Sequence, residues 1–213
     1  EGESDNNLIM KAYRLLKEEF NLPPINIHLH KAIPMGAGLG GGSADASFML
    51  CLLRDMFELD VTDDQLEVYA ARLGADCPFF IKRNPVYATG IGNEFHPIAL
   101  DLSGMYLVVV KPDVFVSTKE AYSMVSPEKP AVTLDEKIMR PIAEWRETIS
   151  NDFEKGIFAL HPELGEIKEK LYGLGAVYAA MSGSGSALFG LFKSEVKNLE
   201  QHFPSMFCEQ HLL

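Results

Sequence analysis

The sequence predicts an α+β fold, and three observations predict it. Segments with apolar residues at helical spacing and segments of strand character both occur, mixed without a steady βαβ rhythm. A strand-like run, Ile25 to Ile33, enters a loop of five glycines and then an apolar helical run, and the element after that is another helix, not a strand. Late in the chain, two strand-like runs flank a second Gly/Ser loop.

The elements follow in order. Leu8, Ala12, Leu15, Leu16 and Phe20 recur at helical spacing, which predicts a helix from about Asn7 to Glu19, capped by Ser4 or Asp5 and closed by Pro23-Pro24. In the strand predicted over Ile25 to Ile33, the alternation puts Ile25, Ile27 and Leu29 on the buried side and His28 and His30 on a solvated face. The helix from Ser43 to Phe57 is apolar almost all round, which predicts a central, buried element. Thr62-Asp63-Asp64-Gln65 is a capping box for a helix through Leu73, with Gly74 at its stop. Asp76-Cys77-Pro78 turns the chain into an apolar run, Phe79-Phe80-Ile81, expected as a strand.

Short strands are predicted at Val86 to Gly92 and Phe95 to Leu100, after an Asn84-Pro85 turn. The β-branched run Tyr106 to Lys111 is a strand. Ser117 or Thr118 caps a helix to Met124, and Ser126 to Ala131 is a polar loop. Thr133 to Ile149 is helical with a break at Pro141, and Pro162 opens a helix to Tyr172. The closing strands are Ala176 to Met181 and Ala187 to Phe192, joined by Ser182-Gly183-Ser184-Gly185-Ser186. A composition shift at Leu100 to Gly104 divides the chain into two domains, 1–100 and 101–213.

Bulk properties exclude several classes. An apolar fraction of 47% over 213 residues is enough for proper cores. A formal charge of −11 with no basic face argues against a nucleic-acid partner. Three scattered cysteines, Cys51, Cys77 and Cys208, form neither a disulfide framework nor a zinc pattern and point to a reducing cytoplasm. No apolar run approaches membrane-spanning length, so no membrane association is expected.

The chemistry centres on Pro34 to Ala46, PMGAGLGGGSADA. Strand, Gly loop and helix in succession point backbone N–H groups at an anion, and glycines let the ligand approach the backbone. Ser43 is read as the N-cap of the helix that follows. A plain turn does not need so many glycines, since each one costs backbone entropy. Gly36-x-Gly38-x-x-Gly41 matches the dinucleotide fingerprint formally, but no βαβ unit follows, and the Walker A ending G-K-[ST] is absent. Two Gly/Ser loops in one chain favour a shared anionic ligand. Asp76 is expected to be poorly solvated between a helix end and an apolar strand, where a carboxylate could accept a proton from a substrate hydroxyl; taken alone, it reads rather as a turn-forming residue bonded to nearby backbone.

PMGAGLGGGSADA resembles the central motif of the GHMP kinases, and Met181 to Ala187 resembles the third motif of that family. Leu73-Gly74-Ala75-Asp76-Cys77-Pro78-Phe79-Phe80, Val116 to Tyr122 and Asn151-Asp152-Phe153-Glu154 extend the resemblance over almost the whole chain. They make it nearest to the members that act on a cytidyl-diphosphate-linked methylerythritol on the non-mevalonate route to isoprenoids. The resemblance implies a ribosomal-protein-S5-domain-2-like N-terminal part, a ferredoxin-like C-terminal domain, and an ATP-dependent small-molecule kinase that uses Mg²⁺.

Carried over by position, Pro34, Met35, Gly36, Ala37, Gly38, Leu39, Gly40, Gly41, Gly42, Ser43 and Ala44 would wrap the triphosphate, with Ser43 near the Mg²⁺. Asp76 would be the catalytic aspartate that orients or deprotonates the acceptor hydroxyl. Lys31 and Asn6 would approach the adenosine. Thr118 and Tyr122 would hold the cytidyl end of the substrate, Tyr122 by stacking. Family chains open on a strand bearing an A-K-[IV]-N-L segment whose Lys pairs with that Asp. None occurs in these residues, so the chain is expected to be a truncated form, weakly active or inactive by itself. A different alcohol acceptor, or a non-catalytic nucleotide-binding role on the same fold, is the alternative.

Overall fold

The computed structural model describes residues 6–126 and 130–213. Ser4 and Asp5, expected as helix caps, lie outside the described residues, as does part of the Ser126 to Ala131 loop. The chain forms two compact units. One comprises Glu1–Met35 and Gly40–Ile98, the other Gly36–Leu39 and Ala99–Leu213, so four residues of the Gly-rich loop belong with the second unit.

The first unit contains α1 (Leu8–Phe20), α2 (Gly41–Met56), α3 (Asp63–Ala71), the short α4 (Phe79–Lys82) and an antiparallel hairpin of β1 (Val86–Thr89) and β2 (Glu94–Pro97). Asn7 caps α1, its Oδ1 accepting the Ile9 N–H at 3.0 Å. The predicted capping box on α3 is present in full, with Thr62 and Gln65 each accepting from the other's backbone N–H. Ala12 and Leu16 of α1, Leu50 and Leu53 of α2, and Leu66 and Ala70 of α3 are fully buried and make the core.

Three expectations for this unit are corrected. Residues 25–33 run without a ladder, because no strand among the described residues pairs with them. Ile25 and Ile27 still pack on the core, but Leu29 is exposed. Phe79-Phe80-Ile81 is a helical turn, not a strand; an apolar run this short has no period of its own to distinguish the two. Phe48, Leu52 and Met56, spaced four apart on one side of α2, are exposed, so that helix is buried on one face only.

The second unit contains β3 (Tyr106–Lys111), α5 (Thr118–Met124), α6 (Leu134–Ile138), a 3₁₀ turn (Ile142–Glu144), α7 (Trp145–Thr148), α8 (Glu154–Leu160), α9 (Pro162–Gly173), β4 (Tyr178–Met181), β5 (Leu188–Phe192), α10 (Leu199–His202) and β6 (Phe207–Leu212). The strands form one antiparallel sheet in the order β4-β5-β3-β6, the ferredoxin-like β-α-β-β-α-β arrangement. Both faces are covered. Val108, Val110, Ala179, Met181 and Leu188 point into one apolar cluster, and Tyr178, Ala180 and Leu191 point with Trp145 into another. That double burial explains why β3 reads as a continuous apolar run.

The predicted helix over Thr133 to Ile149 is three short pieces, interrupted at Pro141. The strand β6 and the helices α8 and α10 were not among the elements predicted. No helix among the described residues is long and apolar enough to cross a membrane.

Candidate functional site

In the first unit, the elements around the N-terminus of α2 gather several of the singled-out residues. Gly40, in the left-handed region at φ +65°, is the N-cap, and no side chain caps α2. A Cβ on Gly40 would lie 2.9 Å from the Phe80 ring, so only glycine fits the turn. Ser43 is therefore not the cap but the third helical residue, and its hydroxyl acts on the Cys77 thiol to lower its pKa. One turn on, the buried Ser47 donates its hydroxyl to the Cys77 carbonyl at 2.6 Å. Ser47 fixes Cys77 to the first turns of α2, and Asp76 is its immediate neighbour.

Asp76 is exposed, against the expectation of poor solvation: the turn buries Cys77 and Pro78 and leaves the carboxylate outside. The hairpin turn between β1 and β2 reaches it, since a Cβ on Gly92 would lie 3.7 Å from Asp76 Oδ1. Burial pushes the Cys77 thiol above its ordinary value, opposed by the Ser43 hydroxyl. Lys31 forms an ion pair with Asp45 of α2, its ammonium 3.9 Å from where a Cβ on Gly41 would sit. Asn6 is exposed just ahead of the α1 cap.

In the second unit, the remainder of the first loop meets the second. Ser182 Oγ donates to the Gly38 carbonyl at 2.8 Å, and the Ala187 N–H donates to the Ala37 carbonyl at 3.0 Å. Gly38 sits at φ +74°, and a Cβ there would lie 2.3 Å from the Ser182 carbonyl oxygen and 2.7 Å from that of Gly185. The backbones approach so closely that no side chain fits between them. Thr118, at the start of α5, reaches the second loop, with 3.4 Å between its hydroxyl and that of Ser184. Tyr122, one turn later, is exposed and meets Phe153 edge to face at 5.0 Å.

The structure thus brings Ala37 and Gly38 to the second Gly loop, and Thr118 with them, in one unit. In the other it brings Ser43 to Cys77, beside Asp76, and Lys31 to the start of α2. Sequence reasoning did not assign Asn151 and Glu154 a place, although both hydrogen-bond the strand end and loop around Ser182. The available signal was Asn151 three residues before a helix, where its Oδ1 accepts the Phe153 N–H at 2.9 Å.

Comparisons with known proteins follow the same division. Residues 7–83 match the family model described as the GHMP kinases N terminal domain, and residues 136–207 match the one described as GHMP kinases C terminal. The chain is 56% identical over 209 residues to the 4-diphosphocytidyl-2-C-methyl-D-erythritol kinase of Bacteroides fragilis, covering 98% of this chain and 76% of that one. It is 49% identical over 194 residues to the protein of the same name from Porphyromonas gingivalis, covering 90% and 71%. A crystal structure of 4-(cytidine 5'-diphospho)-2C-methyl-D-erythritol kinase is similar with a TM-score of 0.81 at 32% identity, covering 99% of this chain and 80% of that one. The mevalonate kinase of Methanococcus jannaschii, at 13% identity and a TM-score of 0.74, shares the fold over 99% of this chain and 76% of its own.

Proposed function

The chain belongs to the GHMP kinase family, and on that premise we propose that it transfers a phosphoryl group from ATP to the 2-hydroxyl of 4-diphosphocytidyl-2-C-methyl-D-erythritol. The observation that carries this reading is 56% identity over nearly the whole chain to a kinase of that name. The reaction belongs to non-mevalonate isoprenoid biosynthesis and takes place in the cytoplasm. The two units serve as N-terminal and C-terminal domains, with their boundary in the sequence near residue 100.

Phosphoryl transfer asks little covalent chemistry of the protein; it needs positioning and stabilisation of charge. Residues Pro34 to Ala44 hold the triphosphate through backbone N–H groups and the N-terminus of α2. The absence of any side chain at Gly38, forced by the neighbouring carbonyls, supports a cradle built of backbone. Asp76 accepts the proton of the acceptor hydroxyl, a role open to it because its carboxylate is exposed. Lys31 and Asn6 contact the adenosine. Thr118 fixes the cytidyl end of the acceptor, and the exposed ring of Tyr122 stacks on the base.

Mg²⁺, when bound, neutralises charge on the phosphates. Ser43, in the first turn of α2, is the residue that would hold it.

A coupled ADP-release assay tests the reading. ADP release is expected to require the cytidyl substrate, with homoserine and mevalonate inert in its place. Turnover of either small alcohol at a comparable rate would overturn the acceptor assignment. Failure to bind ATP in a calorimetric titration would overturn the kinase itself.

A further inference from the structure

The second Gly loop is tied down from one side by a short segment, residues 151–154, that leads into α8. Asn151 donates from Nδ2 to two carbonyls, that of Met181 at 2.8 Å and that of Gly183 at 2.7 Å, one on each side of Ser182. Its own amide is oriented by the bond from the Phe153 N–H to Oδ1. Three residues on, Glu154 accepts the Met181 N–H through Oε1 at 2.8 Å, while its Oε2 takes the Lys168 ammonium at 2.5 Å. Glu154 is buried, and an ion pair with little access to water is costly unless it is well placed.

Both backbone polar groups of Met181 are thereby held by side chains of this segment. The other groups of the loop divide in two. The N–H groups of Ser182, Gly185 and Ala187 bond backbone carbonyls. Those of Gly183, Ser184 and Ser186 donate to no other group among the described residues. Consecutive free N–H groups in a tight turn make an anion-binding concavity.

We infer that Asn151 and Glu154 are positioning residues for nucleotide binding: Asn151 ties back the Met181 and Gly183 carbonyls, Glu154 holds the Met181 N–H, and the Gly183 and Ser184 amides are left for a phosphate oxygen. This rests on the kinase reading above. The residues act through the loop and touch no reacting atom. Asn151 carries more of the effect, because it alone spans Ser182.

The test compares Asn151→Ala and Asn151→Asp with the unsubstituted protein, by titration with a non-hydrolysable ATP analogue and by thermal melting. Asn151→Asp keeps the oxygen that orients the side chain but sets a carboxylate oxygen against two carbonyls. Loss of two ordinary hydrogen bonds predicts roughly a tenfold weaker ATP analogue affinity for Asn151→Ala, and a larger loss for Asn151→Asp. In steady state, the KM for ATP rises with a smaller change in kcat. If both variants melt cooperatively and bind the analogue as tightly as the unsubstituted protein, the positioning role is overturned and the kinase reading stands. If the unsubstituted protein itself does not bind, both fall. If a variant does not fold, the other decides by the same criterion; failure of both to fold overturns the positioning role in favour of a purely structural one.

Discussion

Ser182 and Gly38, 144 residues apart in sequence, are joined by a hydrogen bond of 2.8 Å from the serine hydroxyl to the glycine carbonyl. The contact needs the backbone of Gly38 to lie against the carbonyls of Ser182 and Gly185, within distances that a methyl group would violate.

Gly38→Ala is therefore expected to damage both fold and binding. The methyl group meets backbone on two sides, and the φ of +74° adds strain for any L side chain. A loss of about 2–4 kcal/mol is the scale for such an overpacked, strained site. Denaturant unfolding should show it as a lowered midpoint, and ATP analogue affinity should fall by more than tenfold. An unchanged midpoint would mean that the two loops are not pressed together as described.

Asp76→Asn separates chemistry from stability. The carboxylate is exposed and is tied to no core group, so the melting temperature should move little. Loss of a general base predicts a kcat lower by about 10² to 10⁴. The ADP-release assay at saturating substrate reads this directly; retention of more than a tenth of the kcat would remove Asp76 from the proton-transfer role.

Ser47→Ala is the complementary case. Its hydroxyl is fully buried and donates to the Cys77 carbonyl, which also accepts the Phe80 N–H at 3.1 Å, so truncation removes one of two buried hydrogen bonds at a cost of about 1 kcal/mol. Because Cys77 adjoins Asp76, kcat should also fall modestly while the KM for ATP stays near its original value. Urea titration and initial rates check the two halves separately.

Local chemistry was legible in the sequence wherever it was self-contained. The capping box at Thr62, the β-branched run of β3 and the glycines of both loops state their structure within a few residues. Features that depend on distant partners were not legible. The alternation over residues 25–33 is real in Ile25 and Ile27, but a strand also requires a neighbour. β6, Phe207–Leu212, is an edge strand with polar residues and little apolar signal. Gly40 displaced Ser43 as the cap because a left-handed residue ends the loop before the serine is reached. The exposure of Asp76 could not be read from its apolar neighbours, since the same turn that buries Cys77 faces Asp76 outward. Asn151 became meaningful only once α8 was seen beside the end of β4.

Tyr122→Ala is expected to raise the KM for the cytidyl acceptor by roughly five- to tenfold, the scale of one lost aromatic stacking contact. Its ring is 66% exposed and meets Phe153 edge to face, so stability should change little. Tyr122→Phe keeps the ring and should restore the KM. Equal KM values for all three proteins would assign the cytidyl contact elsewhere.

Stability should decline as pH rises above about 8.5, and the thiols supply the reason. Burial is the first cause that raises Cys51, Cys77 and Cys208 above the ordinary thiol value. In the unfolded chain these groups ionise near pH 8.5, whereas in the folded protein they stay protonated to higher pH. Their contribution is complete below the unfolded value. It is lost as pH rises through the folded values, because the unfolded state then binds fewer protons. The Tyr178 phenol, also raised by burial, adds its own loss only above pH 10. Urea midpoints measured under reducing conditions between pH 7.5 and 10 should fall steadily, and Cys77→Ala should make the slope shallower, since that thiol has no exposed surface. A midpoint constant across this range would show that the buried thiol ionises as readily in the folded protein as in the unfolded chain.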